Sequence, residues 1–169
     1  MTIRVVDTNV IAVANRLHDG VCTACIESCV KALLELQRRG RVAIDDAWQI
    51  LREYQGYANA NRQKEVGDVF IKWILQNRAN RARCNLVRIE PHNERGFESF
   101  PDEPRLAEFD GADRKFVAVS AAHAEHPPIL QATDSKWLDW REALKDHGIE
   151  VLLLCEDDIR RFHANKVAP

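Results

Sequence analysis

The chain has 169 residues, 46% of them hydrophobic and 30% charged, the make-up of an ordinary globular protein with enough apolar surface for one core, so a single domain over 1–169 is expected. Its 24 basic and 26 acidic residues leave a net charge of -2, which excludes a global positive field; any nucleic-acid surface has to be local. No apolar run approaches the length of a bilayer span, and Met1-Thr2-Ile3-Arg4 lacks the apolar segment of a signal peptide, so a cytoplasmic setting away from membranes is expected.

Ile3-Arg4-Val5-Val6 reads as a buried strand running straight into Asp7-Thr8-Asn9. Asp and Asn stop strands by bonding to their own backbone, but the carboxyl end of a strand is also where an open parallel sheet gathers its chemistry. A loop through His18-Asp19-Gly20 leads to a helix bearing Cys22, Cys25, Ile26, Cys29, Val30, Leu33 and Leu36 on one stripe, stopped by Arg38-Arg39-Gly40. The five cysteines (Cys22, Cys25, Cys29, Cys84 and Cys155) are odd in number, so reduced thiols are expected. Cys22 and Cys25 have a zinc-ligand spacing, yet no second such pair and no paired histidines complete a site, so these cysteines are expected to pack as small hydrophobes.

Arg41 to Ile44 reads as a second strand closed by Asp45-Asp46, and Ala47 to about Tyr57 as a helix with Asp46 and Gln49 as a variant capping box. A further helix is expected from Asn61, with Val66, Phe70, Trp73 and Ile74 on its apolar face. Asn85 to Ile89 is the third strand. Residues 90–104 carry three prolines and no periodicity, a long loop of the sort that tends to be functional or mobile. A helix from Asp110-Gly111-Ala112-Asp113 to about Ala124 follows, then strand four (Ile129 to Ala132), a helix opened by Thr133-Asp134-Ser135, strand five (Val151 to Leu154) and a short helix from Glu156 to His163. Strands alternating with helices predict a three-layer αβα fold around a parallel sheet of about five strands.

Few acids fall where strands and helices meet. Asp7 and Asp134 end strands one and four, Asp110 and Asp113 open a helix, and Glu53 lies on the helix after strand two, seven residues from Asp46 and so on the same face. Each has an ordinary explanation: Asp110, Asp113 and Asp134 suit helix caps, and Glu53 suits an exposed helix face. If strands one and four are neighbours where chain order reverses, Asp7, Glu53, Asp113 and Asp134 share one crevice. Carboxylates crowded together raise one another's pKa, and an all-oxygen set of this kind suits Mg²⁺ or Mn²⁺. Such a centre is fitted to metal-assisted phosphodiester hydrolysis.

Val5-Val6-Asp7-Thr8-Asn9-Val10 resembles the opening motif of PIN-domain nucleases. Phe109-Asp110-Gly111-Ala112-Asp113-Arg114-Lys115-Phe116 resembles their third acidic motif and Ala132-Thr133-Asp134 the fourth, with Glu53 in Leu51-Arg52-Glu53-Tyr54 as the second. The resemblance implies a Mg²⁺- or Mn²⁺-dependent endonuclease, usually acting on RNA, with Asp7, Glu53, Asp113 and Asp134 as catalytic metal ligands, Asp7 and Asp113 the firmest. It also implies that Thr8 and Asn9 orient Asp7. Thr133 belongs to the fourth motif, and Asp110, which the family does not always have, is expected to cap its helix. Toxin members of the family pair with an antitoxin and often form homodimers. This chain adds the helix around 61–78 and the 90–104 loop, which sets it apart from them. Arg114, Lys115 and Lys136 beside the acids are expected to hold flanking phosphates, whereas the run Arg78, Arg81, Arg83 and Arg88 is expected to be a solvated helix end. Two other readings stand beside the nuclease. One is a PIN-like module that binds RNA or a protein partner without turnover. The other is an aspartyl-phosphate phosphatase, which needs a second Asp where Asn9 stands.

Overall fold

A computed structural model of the chain describes residues 1–167. Strands β1 (Ile3–Val6), β2 (Arg41–Asp45), β3 (Cys84–Val87), β6 (Ile129–Gln131) and β7 (Val151–Leu153) form a parallel sheet in the order β3-β2-β1-β6-β7, and β4 (Pro91–His92) pairs antiparallel with β5 (Gly96–Phe97) in a separate hairpin. Helices α1 (Thr8–Ala14), α2 (Thr23–Arg39), α3 (Gln49–Tyr54), α4 (Val66–Asn77), α5 (Arg114–Ala122), α6 (Lys136–Asp146) and α7 (Glu156–Val167) flank the sheet, giving a three-layer αβα architecture.

The strand sequences explain the order. A parallel strand covered on both faces needs a nearly continuous apolar run. Val5, Val6, Val42, Ala43, Ile44, Ile129 and Leu130 meet that need in the three central strands, where all are buried. The outer strands are less covered: Leu86 of β3 is exposed and Leu152 and Leu153 of β7 are half-buried. Register is set by Val5 opposite Ile129 and Val6 opposite Leu130 on one side of β1, and Ile3 opposite Arg41 on the other. Strands one and four of the sequence are thus neighbours, and chain order reverses between them.

Several local expectations are corrected. Helix α1 starts immediately after β1, with Asp7 as its N-cap and six of its seven residues buried; a helix buried all round shows no amphipathic period to read. It is Asp45, not Asp46, that caps α3, its two oxygens accepting the Gln49 and Ile50 N–H groups at 2.8 and 2.9 Å. The helix expected from Asn61 begins at Val66, because Asp68 gathers the preceding turn around itself, including a reciprocal capping pair with Glu65. Within 90–104 lie the β4–β5 hairpin and the start of a 3-10 turn at Pro104–Leu106. The thiols are not all reduced: Cys25 and Cys155 form a disulfide, while Cys22, Cys29 and Cys84 remain free. Of the three cysteines expected to pack on the α2 stripe, Cys25 and Cys29 do lie in the core, but Cys22 is exposed at the N-cap of α2, ahead of its first turn. Among the described residues no helix is long and apolar enough to cross a membrane.

Candidate metal centre

The site lies at the carboxyl ends of β1 and β6, the switch point where an open α/β sheet leaves a crevice. Asp7 follows the last residue of β1; its backbone N–H continues the ladder to Leu130 O at 3.0 Å, and its Oδ1 accepts the Asn9 N–H at 2.9 Å. The Asn9 side chain then straps the two strand ends together, its Nδ2 donating to Gln131 Oε1 and its Oδ1 accepting the Ala132 N–H at 3.0 Å. Gln131 Oε1 also accepts the N–H groups of Ala132 and Asp134, at 2.8 and 3.2 Å. This amide therefore shapes the turn that presents Asp134. Gln131 went unremarked in the sequence, although it is the one polar side chain in the run Ile129-Leu130-Gln131-Ala132 and is wholly buried.

Asp110 precedes and Asp113 ends the 3-10 turn Gly111–Asp113 that leads into α5. Carboxylate oxygens of Asp110, Asp113 and Asp134 lie within 4.8 Å of one another, and all three residues are partly open to solvent. Asp110 makes no side-chain cap bond; its carboxylate turns to the cluster and pairs with Lys136 Nζ at 2.8 Å, so the capping role expected of it is wrong. Asp134 serves both purposes, its Oδ1 accepting the Lys136 N–H at 3.1 Å at the start of α6.

Crowding shows in the proton affinities. Burial pushes Asp7 well above the usual carboxylate range, and the charges of Asp113, Glu53 and Asp134 add to it against the pull of the Asn9 N–H. Asp113 is pushed up to about 6 by burial and by the Asp134, Glu53 and Asp110 charges, with Lys115 acting the other way. Carboxylates held in this state gain from a cation. The donor set is all oxygen, with no histidine or thiol among the three, which fits Mg²⁺ or Mn²⁺ rather than a softer metal. Three polar atoms of the adjoining β6–α6 segment, Gln131 Nε2, Ser135 Oγ and Trp137 Nε1, are buried without a partner, a condition that usually marks an unseen polar neighbour.

The remaining expected residues divide. Glu53, on α3, accepts the Thr8 hydroxyl on Oε1 at 2.6 Å and the Lys115 ammonium on Oε2, so Thr8 holds Glu53 and not Asp7. For Asn9 it is the backbone N–H, not the side chain, that meets Asp7. Thr133 is buried in the turn before Asp134. Lys115 is buried, its Nζ also donating to Ala112 O, and Arg114 donates to Phe109 O and Ala107 O at 3.1 and 2.9 Å while stacking over Phe100. Both are engaged within the protein, which leaves Lys136, half-exposed, as the cation of the three that faces solvent. Of the basic run, Arg83 caps the end of α2 through the Gln37, Arg38 and Gly40 carbonyls. Arg78 and Arg81 line a depression of about 530 Å³ against β3 that contains none of the acids. No protein-family model matches the chain, and no curated protein and no solved structure matches it.

Proposed function

We propose that this chain is a divalent-metal-dependent endonuclease that hydrolyses phosphodiester bonds in RNA. The observation that carries the reading is the meeting of Asp110, Asp113 and Asp134 within 4.8 Å, beside an Asp7 whose proton affinity is raised by burial and by the charges of Asp113, Glu53 and Asp134. The ordered acids and their likeness to PIN-domain motifs favour RNA as substrate.

Asp110, Asp113 and Asp134 would hold Mg²⁺ or Mn²⁺, with the buried Asp7 coupled to them. Such an ion, when bound, supplies a water of lowered pKa and positive charge for the phosphate. The chain's own groups do the rest. Gln131 and Asn9 fix the turn of Asp134 against β1, so the carboxylate needs little reorganisation. Thr8 and Lys115 fix both oxygens of Glu53. Lys136, at the open rim on Asp110, is the cation in position to meet a phosphate beside the scissile one.

Purified protein with Mn²⁺ is expected to cut single-stranded RNA and to lose cutting in EDTA. Asp113→Asn and Asp134→Asn should each lower the rate at least about a hundredfold, the scale of several kcal/mol of charge stabilisation, with melting retained. Cleavage by Asp113→Asn at the parent rate would overturn the proposal.

A further inference from the structure

We infer that the Lys115 ammonium takes the place a second divalent ion would need, making the acidic pocket a one-ion centre; this rests on the metal-dependent reading above. Five carboxylates converge here, those of Asp7, Glu53, Asp110, Asp113 and Asp134, enough ligands in number for a two-ion site with its ions about 3.5–4 Å apart. Their geometry does not divide that way. Asp110, Asp113 and Asp134 share one place. The acids left for a second ion are Asp7 and Glu53, and both oxygens of Glu53 are already engaged, one by the Thr8 hydroxyl at 2.6 Å and one by the positive charge of Lys115 Nζ.

Lys115 is not a surface lysine that drifted inward. Its side chain is 9% exposed, and its Nζ is fixed by Glu53 on one side and Ala112 O on the other. Both ends of this ion pair reach the site from fixed elements, Glu53 from α3 and Lys115 from α5 only two residues after Asp113. Burying an ammonium beside ionised carboxylates is favourable only when its partner is kept. A second divalent ion at Glu53 would have to displace that ammonium from its partner. Lys115 is therefore a positioning residue: it holds Glu53 and supplies one permanent positive charge beside a single exchangeable ion.

Mn²⁺ titration at neutral pH, by calorimetry with the free ion counted by electron paramagnetic resonance, reads this directly. The parent protein should take one ion per chain. Lys115→Met should take two, or bind the first at least about tenfold tighter, the effect of removing a unit charge a few ångströms away. Lys115→Arg should return the count to one. Glu53→Gln, which does not depend on burying an apolar chain in place of lysine, should still take one ion. Two ions on the parent overturn the inference and leave the nuclease reading intact. So does a single ion of unchanged affinity on Lys115→Met, or loss of the ion in Glu53→Gln. A parent that takes no Mn²⁺ at all overturns both.

Discussion

At Asp113 the conflict between folding and ion binding is concentrated in one carboxyl group. Its value of about 6 in the folded chain lies above the ordinary 3.8, so the folded state holds a proton that the unfolded state releases. Stability from this group is therefore full below the ordinary value and falls as pH rises through about 6; Asp7 acts in the same direction. Without divalent ions, the melting temperature of the parent minus that of Asp113→Asn should decline across that interval, and saturating Mn²⁺ should remove the decline. A difference that stays flat in EDTA would sink the description of a crowded, desolvated carboxylate. Asp7, Asp113 and Asp134 were legible in the sequence because acids at strand ends and helix starts have few places to point. Asp110 and Lys115 were not. Whether Asp110 caps its turn or leaves it for Lys136, and whether Lys115 points outward or back to Glu53, depends on how the 3-10 turn Gly111–Asp113 enters α5, and residue type does not encode that angle.

Among the elements, α4 shows how one buried acid can organise a segment. Asp68 is wholly buried and accepts from the backbone N–H groups of Asn59, Lys64 and Glu65, from the Arg62 guanidinium at 2.9 and 3.0 Å, and from Asn15 Nδ2. Arg62 and these N–H groups hold its carboxyl far below the usual range, so its stabilisation is present above the ordinary carboxylate value and is lost on acidification. Asn15 closes the other side, its Oδ1 accepting the Gly67 N–H at 2.8 Å, and a Cβ on Gly67 would lie 2.5 Å from that oxygen. Asp68→Ala strands the buried Asn15 amide and several part-buried donors at once and should lower stability by about 3 kcal/mol, read as a shifted urea midpoint; a loss below about 1 kcal/mol would show the segment is held by α4 packing alone. Helices α2 and α4 were readable from the sequence because each has one wet face, with Cys25, Cys29 and Leu33 or Phe70 and Ile74 on the other. Helix α1 and the β4–β5 hairpin were not, the first having no wet face and the second offering two residues per strand, too few for an alternation.

Over the whole molecule, the predicted sheet follows from strand composition and from chain order, since a parallel crossover with helices on both faces leaves β1 and β6 side by side. The cross-link between Cys25 and Cys155 does not follow from either. It joins α2 to the residue just before α7 across a separation of 130 residues, with Cα atoms 4.9 Å apart, and only the folded chain brings those positions together. Cys29 Sγ lies 3.9 Å from Cys155 Sγ but does not compete easily for it, because burial pushes the Cys29 thiol up to about 12 and the thiolate is the attacking form. A loop that long restricts the unfolded chain strongly, and on chain entropy alone closing it should contribute about 5 kcal/mol. Dithiothreitol should therefore lower the urea midpoint of the parent by that equivalent and leave a Cys25→Ala/Cys155→Ala variant unmoved. Non-reducing peptide mapping should recover the Cys25–Cys155 pair with Cys29 as a free thiol. If the parent's midpoint is the same with and without reductant, the three buried sulfurs are hydrophobic packing, and the clasp between α2 and α7 rests on Asp158, whose carboxylate receives the Cys22 N–H at 2.9 Å.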